Sequence, residues 1–525
     1  MQHNFGSRYI NSMSQISDNN KRIAKNTMLL YFRMIFIMVI SLFTSRINLQ
    51  SLGVENFGIY NVVGGVVAVF SVFSGSLSVS VSRFITFELG KGNQEKLKRV
   101  FSTAVTIQIF LAVCIVILAE IIGIWFLNNK MNIPADRMNA ANWVMHFSIF
   151  AFAVNLISVP YNAAIIAHEK MSAFAYVSVF EVLAKLGITY YLFISPFDKL
   201  KTYAVLLFAL SIVLRLIYGV YCKRKFQECS YHFMLDKGLI KQMTGFAGWS
   251  LFGLVAYTGY NYGLNILLNI FFGPVVNAAR GIAFQVQSAV QGFSNNFQMA
   301  LNPQIIKSYA QNDLKRMHQL IFASSKYAFF LLFFLSLPII IETPKILSLW
   351  LTEVPNHTVN FIRLILALIT FDSLGSSISI AQQATGKIKK YQIWVGGIML
   401  MIVPVAYFFL KMGSTPESVY IVYFTACIVA HVVRMLIIKP MIRLSLREYF
   451  RKVIVRLIGV TMCSSILPLL AYNNLPSTIP SFIIVCTLCV MMVASSVYFL
   501  GLEQSERAKV NEKIKNMCCK FLPKK

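Results

Sequence analysis

Apolar residues fill this chain in long runs, without the short alternation of a half-buried strand. Runs of about 20 apolar positions, enough to cross the ~30 Å hydrocarbon core of a bilayer, lie near 27–48, 57–87, 101–127, 143–167, 172–194, 202–221 and 244–271. Seven more lie near 274–300, 321–341, 357–382, 391–410, 418–438, 453–471 and 480–501. The pattern predicts fourteen transmembrane helices, an all-α polytopic membrane protein. Residues before Thr27 are polar, so the first span is expected to act as its own insertion signal rather than as a cleaved leader. The longest loop between spans, 222–243, is too short for a catalytic domain.

Composition agrees with this pattern. Of 525 residues 57% are hydrophobic and 13% charged, against about 45–50% and about 25% in soluble domains, and the mean hydropathy is +0.64. A net charge of +28 would point to nucleic acid in a soluble protein, but its distribution points elsewhere. Of 48 Lys and Arg, 33 lie in the two tails and in alternate loops, six in the opposite loops and nine inside spans. By the positive-inside rule both termini are expected to face the cytoplasm, and no nucleic-acid partner is implied. Trp125, Trp143, Trp350 and Trp394 fall at span ends, as in an interfacial aromatic belt. None of the nine cysteines falls in an external loop, and the C-x-x-C of Cys486 and Cys489 lies within an apolar span, where packing is the expected role.

An internal repeat organises the spans. Leu97-Lys98-Arg99 after span 2 matches Leu314-Lys315-Arg316 after span 8, an offset of 217 residues. The same offset places Ala164, Ala167 and Lys170 on Ala381, Ala384 and Lys387, and Gly53 pairs with Gly273 at nearly the same shift. Six spans per repeat is an even number, so the halves are expected to be related by an axis along the membrane normal. The predicted organisation is a cytoplasmic tail (1–26), an N-lobe (27–221), a linker (222–243), a C-lobe (244–438), two appended spans (453–501) and a basic tail (502–525).

Polar side chains within spans narrow the function. Span 8 stacks Asn277, Arg280, Gln287, Gln291, Ser294 and Gln298 on one face. Span 2 places Asn61, Ser71, Ser74, Ser78 and Ser82 similarly, and span 7 adds Tyr257, Tyr260, Asn261, Asn265 and Asn269. Either these helices hydrogen-bond inside a closed bundle or they line a hydrated lumen, and the second reading is preferred.

Charges inside spans cost about 2.5–3.5 kcal/mol each on insertion scales unless paired or hydrated. Arg46, Arg83, Lys326 and Arg434 lie near span ends and are expected to snorkel, and Glu181 and Lys185 are placed to pair at i, i+4. The remaining Arg33, Arg215, Arg280 and Arg363 outnumber the unpaired acids, so the lumen favours an anion. Arg280 is preferred as a headgroup ligand late in the cycle and Arg33 early, with Gln287, Gln291 and Asn261 beside them. Asp372, without a basic residue at i±4, and Glu181 are the candidates for coupling to H⁺ or Na⁺; no other cofactor is implied. A phosphate-binding loop and an H-E-x-x-H helix are both missing, so the usual machinery of ATP hydrolysis and zinc proteolysis is lacking and no enzyme activity is predicted.

Three stretches carry a resemblance: Val159-Pro160-Tyr161-Asn162-Ala163-Ala164 continuing through Ile165-Ile166-Ala167-His168-Glu169-Lys170-Met171; Gln383-Ala384-Thr385-Gly386-Lys387; and Gly273 to Ala310, with Asn277-Ala278-Ala279-Arg280-Gly281 and Asn302-Pro303-Gln304. They resemble O-antigen and capsule repeat-unit flippases of the multidrug/oligosaccharidyl-lipid/polysaccharide exporter superfamily. The resemblance implies two six-helix lobes around a central cavity and alternating access. It also implies a cargo, an undecaprenyl-pyrophosphate-linked oligosaccharide moved to the periplasmic leaflet, and a polysaccharide polymerase and ligase as further partners beside membrane lipids. A basic lumen suits such a cargo because guanidinium forks match phosphate oxygens. Drug exporters of the superfamily often carry a coupling carboxylate in the first helix, whereas Met28 to Leu49 has neither Asp nor Glu. A cation-coupled multidrug or metabolite exporter is therefore the alternative.

Overall fold

The computed structural model describes residues 2–512 except 69, 132, 352, 477, 505 and 509. Most of the basic tail expected at 502–525 therefore lies outside the described residues. The first helices are α1 (Gln2–Ala68), α2 (Ser71–Lys91), α3 (Gln94–Lys130), α4 (Met138–Ala167), α5 (Met171–Ile194) and α6 (Lys199–Lys225). Next come α7 (Lys237–Phe272), α8 (Pro274–Ala310), α9 (Leu314–Ile341), the short α10 (Thr343–Trp350), α11 (Thr358–Thr385), α12 (Lys389–Lys411) and α13 (Ser418–Ile442). The last are α14 (Leu446–Tyr449), α15 (Val455–Asn474) and α16 (Ile479–Ser496), with π-helical turns at Phe450–Ile454 and Val497–Gly501. No strand occurs among the described residues. The protein is an all-α, polytopic membrane protein of about fourteen spans.

Among the described residues, eleven helices are long and apolar enough to cross a membrane. The three expected spans that fall short are those covered by α2, α7 and α8, whose polar stripes dilute their hydropathy. Span 2 is also interrupted: α1 kinks at Gly53 and ends at Ala68, and α2 begins at Ser71. Gly53 and Gly273, paired by the repeat, both have φ of +79°, a left-handed conformation that a side chain disfavours. Local chemistry sets other boundaries. Gly92 caps α2 with φ of +73° and the Asn93 side chain accepts from the Lys96 amide at 3.0 Å to start α3; Asp198 caps α6 likewise.

The chain forms two compact units. The first contains 1–255, 299–317 and 383–392; the second contains 256–298, 318–382 and 393–525. The division falls inside helices α7, α8, α9, α11 and α12, and α15 and α16 belong to the second unit. The stretch expected as a linker narrows to 226–236, since α6 extends to Lys225 and α7 starts at Lys237. In the first unit one core joins Val81, Phe84, Phe101, Tyr161, Leu214 and Phe246, and another joins Val63, Ala112, Ala119, Ala141 and Met145. In the second, Phe333 and Leu337 of α9 pack on Val485, Cys489 and Val493 of α16. Trp125, Trp143, Trp350 and Trp394 are all exposed, as interfacial residues would be.

Candidate functional site

The first unit carries an open cavity of about 640 Å³. Its longest wall is α1, which contributes Arg33, Ile37, Ser41, Thr44, Ser45 and Asn48. Steps of three and four residues put these on one helical face, while Phe32 and Leu42 on other faces are two-thirds exposed, as lipid-facing residues are. Fifteen residues separate Arg33 from Asn48, so the polar wall runs about 22 Å along the helix at 1.5 Å per residue. The facing wall is α5, with Ser178, Glu181, Val182 and Lys185 at the same helical spacing. Asn162, Tyr203 and Tyr218 close the sides.

Arg33 dominates one part of this cavity. Its Nη1 donates to Ser178 Oγ at 3.1 Å, and its guanidinium lies 4.6 Å from the centroid of the Phe174 ring. Its Nε is buried and meets no acceptor among the described residues. Lys185 Nζ lies 2.6 Å from Glu181 Oε1, the pair foreseen from the spacing. With Glu181 ionised, the three charged groups sum to one positive charge. Toward the other end the polar groups satisfy one another: Asn48 Nδ2 donates to Tyr203 Oη at 2.9 Å, and Thr189 Oγ1 donates to Asn48 Oδ1 at 2.7 Å. The cavity thus offers an unfilled cationic donor at one end and an aromatic, amide-rich surface at the other.

Other expected site residues lie elsewhere. Arg215 stacks on Tyr161, 3.9 Å from its centroid, and does not line the cavity. Arg280, in the second unit, is 8% exposed and donates from Nη2 to the Asn261 carbonyl at 2.9 Å, while the Asn261 side chain folds onto the Tyr257 carbonyl. Arg363 donates from Nε to the Ile340 carbonyl at 2.9 Å and from Nη2 to that of Ile341 at 3.4 Å, covering acceptors at the end of α9. Gln287 donates to Gln291 at 3.4 Å and Gln298 to Ser294 at 3.1 Å, so much of the α8 stripe is satisfied within its own helix. Asp372 is not free: Arg434, from α13, holds it at 3.0 Å.

The snorkelling expected of three cations is replaced by buried pairing. Arg83 donates to the Gln383 and Ala384 carbonyls at 3.2 and 2.9 Å, Lys326 lies 2.6 Å from Glu506, and Arg434 reaches Asp372. Arg46 alone of the four is exposed. Internal acceptors stand at each of the three sites, and they offset part of the desolvation cost that burial imposes on a cation.

The α1 wall was not singled out in advance. Its signal was present in Arg33, Ser41, Thr44, Ser45 and Asn48, but serine and threonine within an apolar run are also satisfied by their own helix, as Thr44 is by the Ile40 carbonyl.

Comparison with known proteins gives the chain a family and a fold. The chain belongs to the polysaccharide biosynthesis protein family, whose pattern it matches over residues 23–309, more than half its length. No curated protein matches it. In fold it is similar to an outward-facing multidrug resistance MATE family transporter of the MOP superfamily, with TM-score 0.67, 16% identity and coverage of 81% of this chain and 96% of that one. It is similar also to a MOP superfamily transporter from Pyrococcus furiosus, described as having a binding pocket of reversed polarity, with TM-score 0.64, 16% identity and coverage of 80% and 96%. A MATE transporter in a bent conformation aligns with TM-score 0.69, 15% identity and coverage of 81% and 96%.

Proposed function

We propose that the protein is a flippase that carries an undecaprenyl-pyrophosphate-linked oligosaccharide repeat unit from the cytoplasmic to the periplasmic leaflet of a bacterial inner membrane, with both termini cytoplasmic. The observation that carries this reading is Arg33. A guanidinium in a membrane cavity, with a buried donor that finds no acceptor among the described residues, is a costly arrangement unless an anion completes it. Arg33 and Lys185 together offer the charge and the fork that a pyrophosphate requires. Membership of a polysaccharide biosynthesis family supports the glycan. The polar surface toward Asn48, Tyr60 and Asn61 supplies hydrogen bonds and ring faces for sugars. A polymerase and a ligase acting on the delivered repeat unit would be its functional partners.

Ion coupling falls to Glu181, which stands in the cavity, or to Asp372, which Arg434 holds in the second unit. Each is tested by its amide variant, Glu181→Gln or Asp372→Asn, which should weaken the dependence of export on the ion gradient. The alternative is a cation-coupled multidrug or metabolite exporter, favoured by the likeness in fold to MATE transporters. In a strain lacking the chromosomal copy, Arg33→Ala at equal protein level should abolish surface glycan and Arg33→Lys should retain part of it. Normal glycan with Arg33→Ala would refute the anion site. Drug resistance on expression, with glycan unaffected by the deletion, would favour the exporter.

A further inference from the structure

The most heavily coordinated carboxylate in the first unit does not line the cavity. Glu169 sits in the turn between α4 and α5 with its side chain 1% exposed. Arg22 Nε reaches it at 2.8 Å, Lys307 Nζ at 2.6 Å, and Gln304 Nε2 reaches both carboxylate oxygens at 2.8 Å. Its backbone carbonyl accepts from Asn26 Nδ2 at 3.1 Å. The donors come from residues 22–26 within α1 and from the end of α8, so a single residue ties three parts of the chain. Glu169 has φ of +58°, a conformation glycine would adopt at lower cost. The strain is tolerable because the carboxylate is what binds these donors.

Two further contacts hold the same end of α8. Gly90, at the end of α2, lets the backbone approach so closely that a Cβ there would lie 3.0 Å from both Ala310 Cβ and Lys307 Cα. Ala300 packs with Leu30 and Met171. The turns of α8 from residue 299 onward belong to the first unit, and those before it to the second. A helix is stiff along its axis, so α8 can tilt only if its last turns leave this packing or if it hinges near 298–299.

We propose that Glu169 is a latch: its bonds to Arg22, Gln304 and Lys307 hold the cavity closed on the membrane face that carries the α4–α5 turn, and loading from that face requires them to break. A multiply bonded buried carboxylate suits this role because its bonds are lost together, which makes the two states discrete. The inference rests on the alternating-access part of the proposed function and is independent of the cargo.

The test uses a cysteine at Ser41, on the cavity wall, in full-length chain whose nine native cysteines are replaced, labelled in vesicles of either orientation with a membrane-impermeant maleimide. Glu169→Gln keeps the shape and removes the charge. It should raise labelling from the Glu169 face on the order of tenfold and lower it from the opposite face, as a population shift requires. Lys307→Gln should move labelling the same way by less, since Arg22 and Gln304 remain. Parent rates from both faces in Glu169→Gln and Lys307→Gln would overturn the latch; should Glu169→Gln fail to accumulate, Lys307→Gln decides. Labelling from one face only, in parent and variants alike, would instead count against alternating access itself.

Discussion

Arg33 of the first unit and the intramembrane arginines of the second have the same chemistry and opposite circumstances. In the second unit Arg280 and Arg363 donate to main-chain carbonyls, and Arg434 donates to Asp372. In the first, Arg33 donates to a serine hydroxyl and has an Nε without an acceptor among the described residues, in the wall of a cavity. An arginine inside a bilayer is a statement of cost, and what offsets the cost decides its role. Where the chain supplies the acceptors, the residue holds helices together; where it does not, a ligand can.

The sharpest way to break this comparison is to remove each guanidinium in turn. Arg33→Ala should reduce export per molecule by at least on the order of a hundredfold, the effect expected when two charge-assisted bonds to a ligand are lost, with little change in thermal stability. Arg363→Ala should do the reverse, destabilising by about 1–3 kcal/mol because two carbonyls lose their donor, with export per folded molecule retained. Equal loss of export per molecule in both would erase the distinction.

The ion pair of the second unit comes next. Arg434→Met leaves Asp372 without its partner, and because Asp372 is about one-third exposed the cost should be about 1–3 kcal/mol, below that of a fully buried pair. The double variant Arg434→Met, Asp372→Leu should recover most of it. A double variant no more stable than the single one, measured by thermal unfolding in detergent, would show that Arg434 acts through something other than the pair.

A smaller effect tests whether the two units share backbone geometry. Gly53→Ala and Gly273→Ala place a methyl where nothing lies within 4 Å, so only the left-handed backbone opposes it. Each should cost about 1–2 kcal/mol. A difference larger than that range would mean the two kinks are not equivalent.

The smallest effect concerns acid. Burial alone would raise Glu417, just before α13, but hydrogen bonds from Asn360 and His357, its own backbone and Thr415 outweigh it and hold it at about 2 against an ordinary 4.5. A folded-state value below the unfolded one means stability that is complete above about pH 4.5 and fades as pH falls toward 2. Glu417→Gln should flatten that acid limb in a pH series of melting temperatures. An unchanged limb would show that the His357 and Asn360 contacts carry no charge-dependent stability.

Much of the architecture was legible in the sequence because the bilayer imposes it. A backbone in hydrocarbon must satisfy its own hydrogen bonds, so an apolar run of sufficient length can only be a helix, and the runs around Phe101 to Leu127 or Ile479 to Leu500 could be read with no knowledge of their neighbours. The repeat was legible through glycines: Gly53 and Gly273 share a conformation that few other residues accept. Arg33 and Glu181 were named from their spans, and the Glu181–Lys185 pair from helical spacing, since four residues along a helix bring side chains together wherever the helix lies.

The fate of the other charges was decided by tertiary structure alone. Asp372 and Arg434 are 62 residues apart, Lys326 and Glu506 are 180 apart, and Arg83 and Ala384 are 301 apart. No local pattern encodes such partners. The α8 stripe read as a lumen wall, yet Gln287 and Gln298 bond within their own helix and Arg280 caps a carbonyl. The α1 wall looked ordinary until α5 was placed against it. Sequence determined which segments enter the membrane and which charges go with them, because burial in lipid is a property of each segment. Which charges are satisfied and which stand ready for a ligand is a property of pairs, and only the folded chain brings the pairs together.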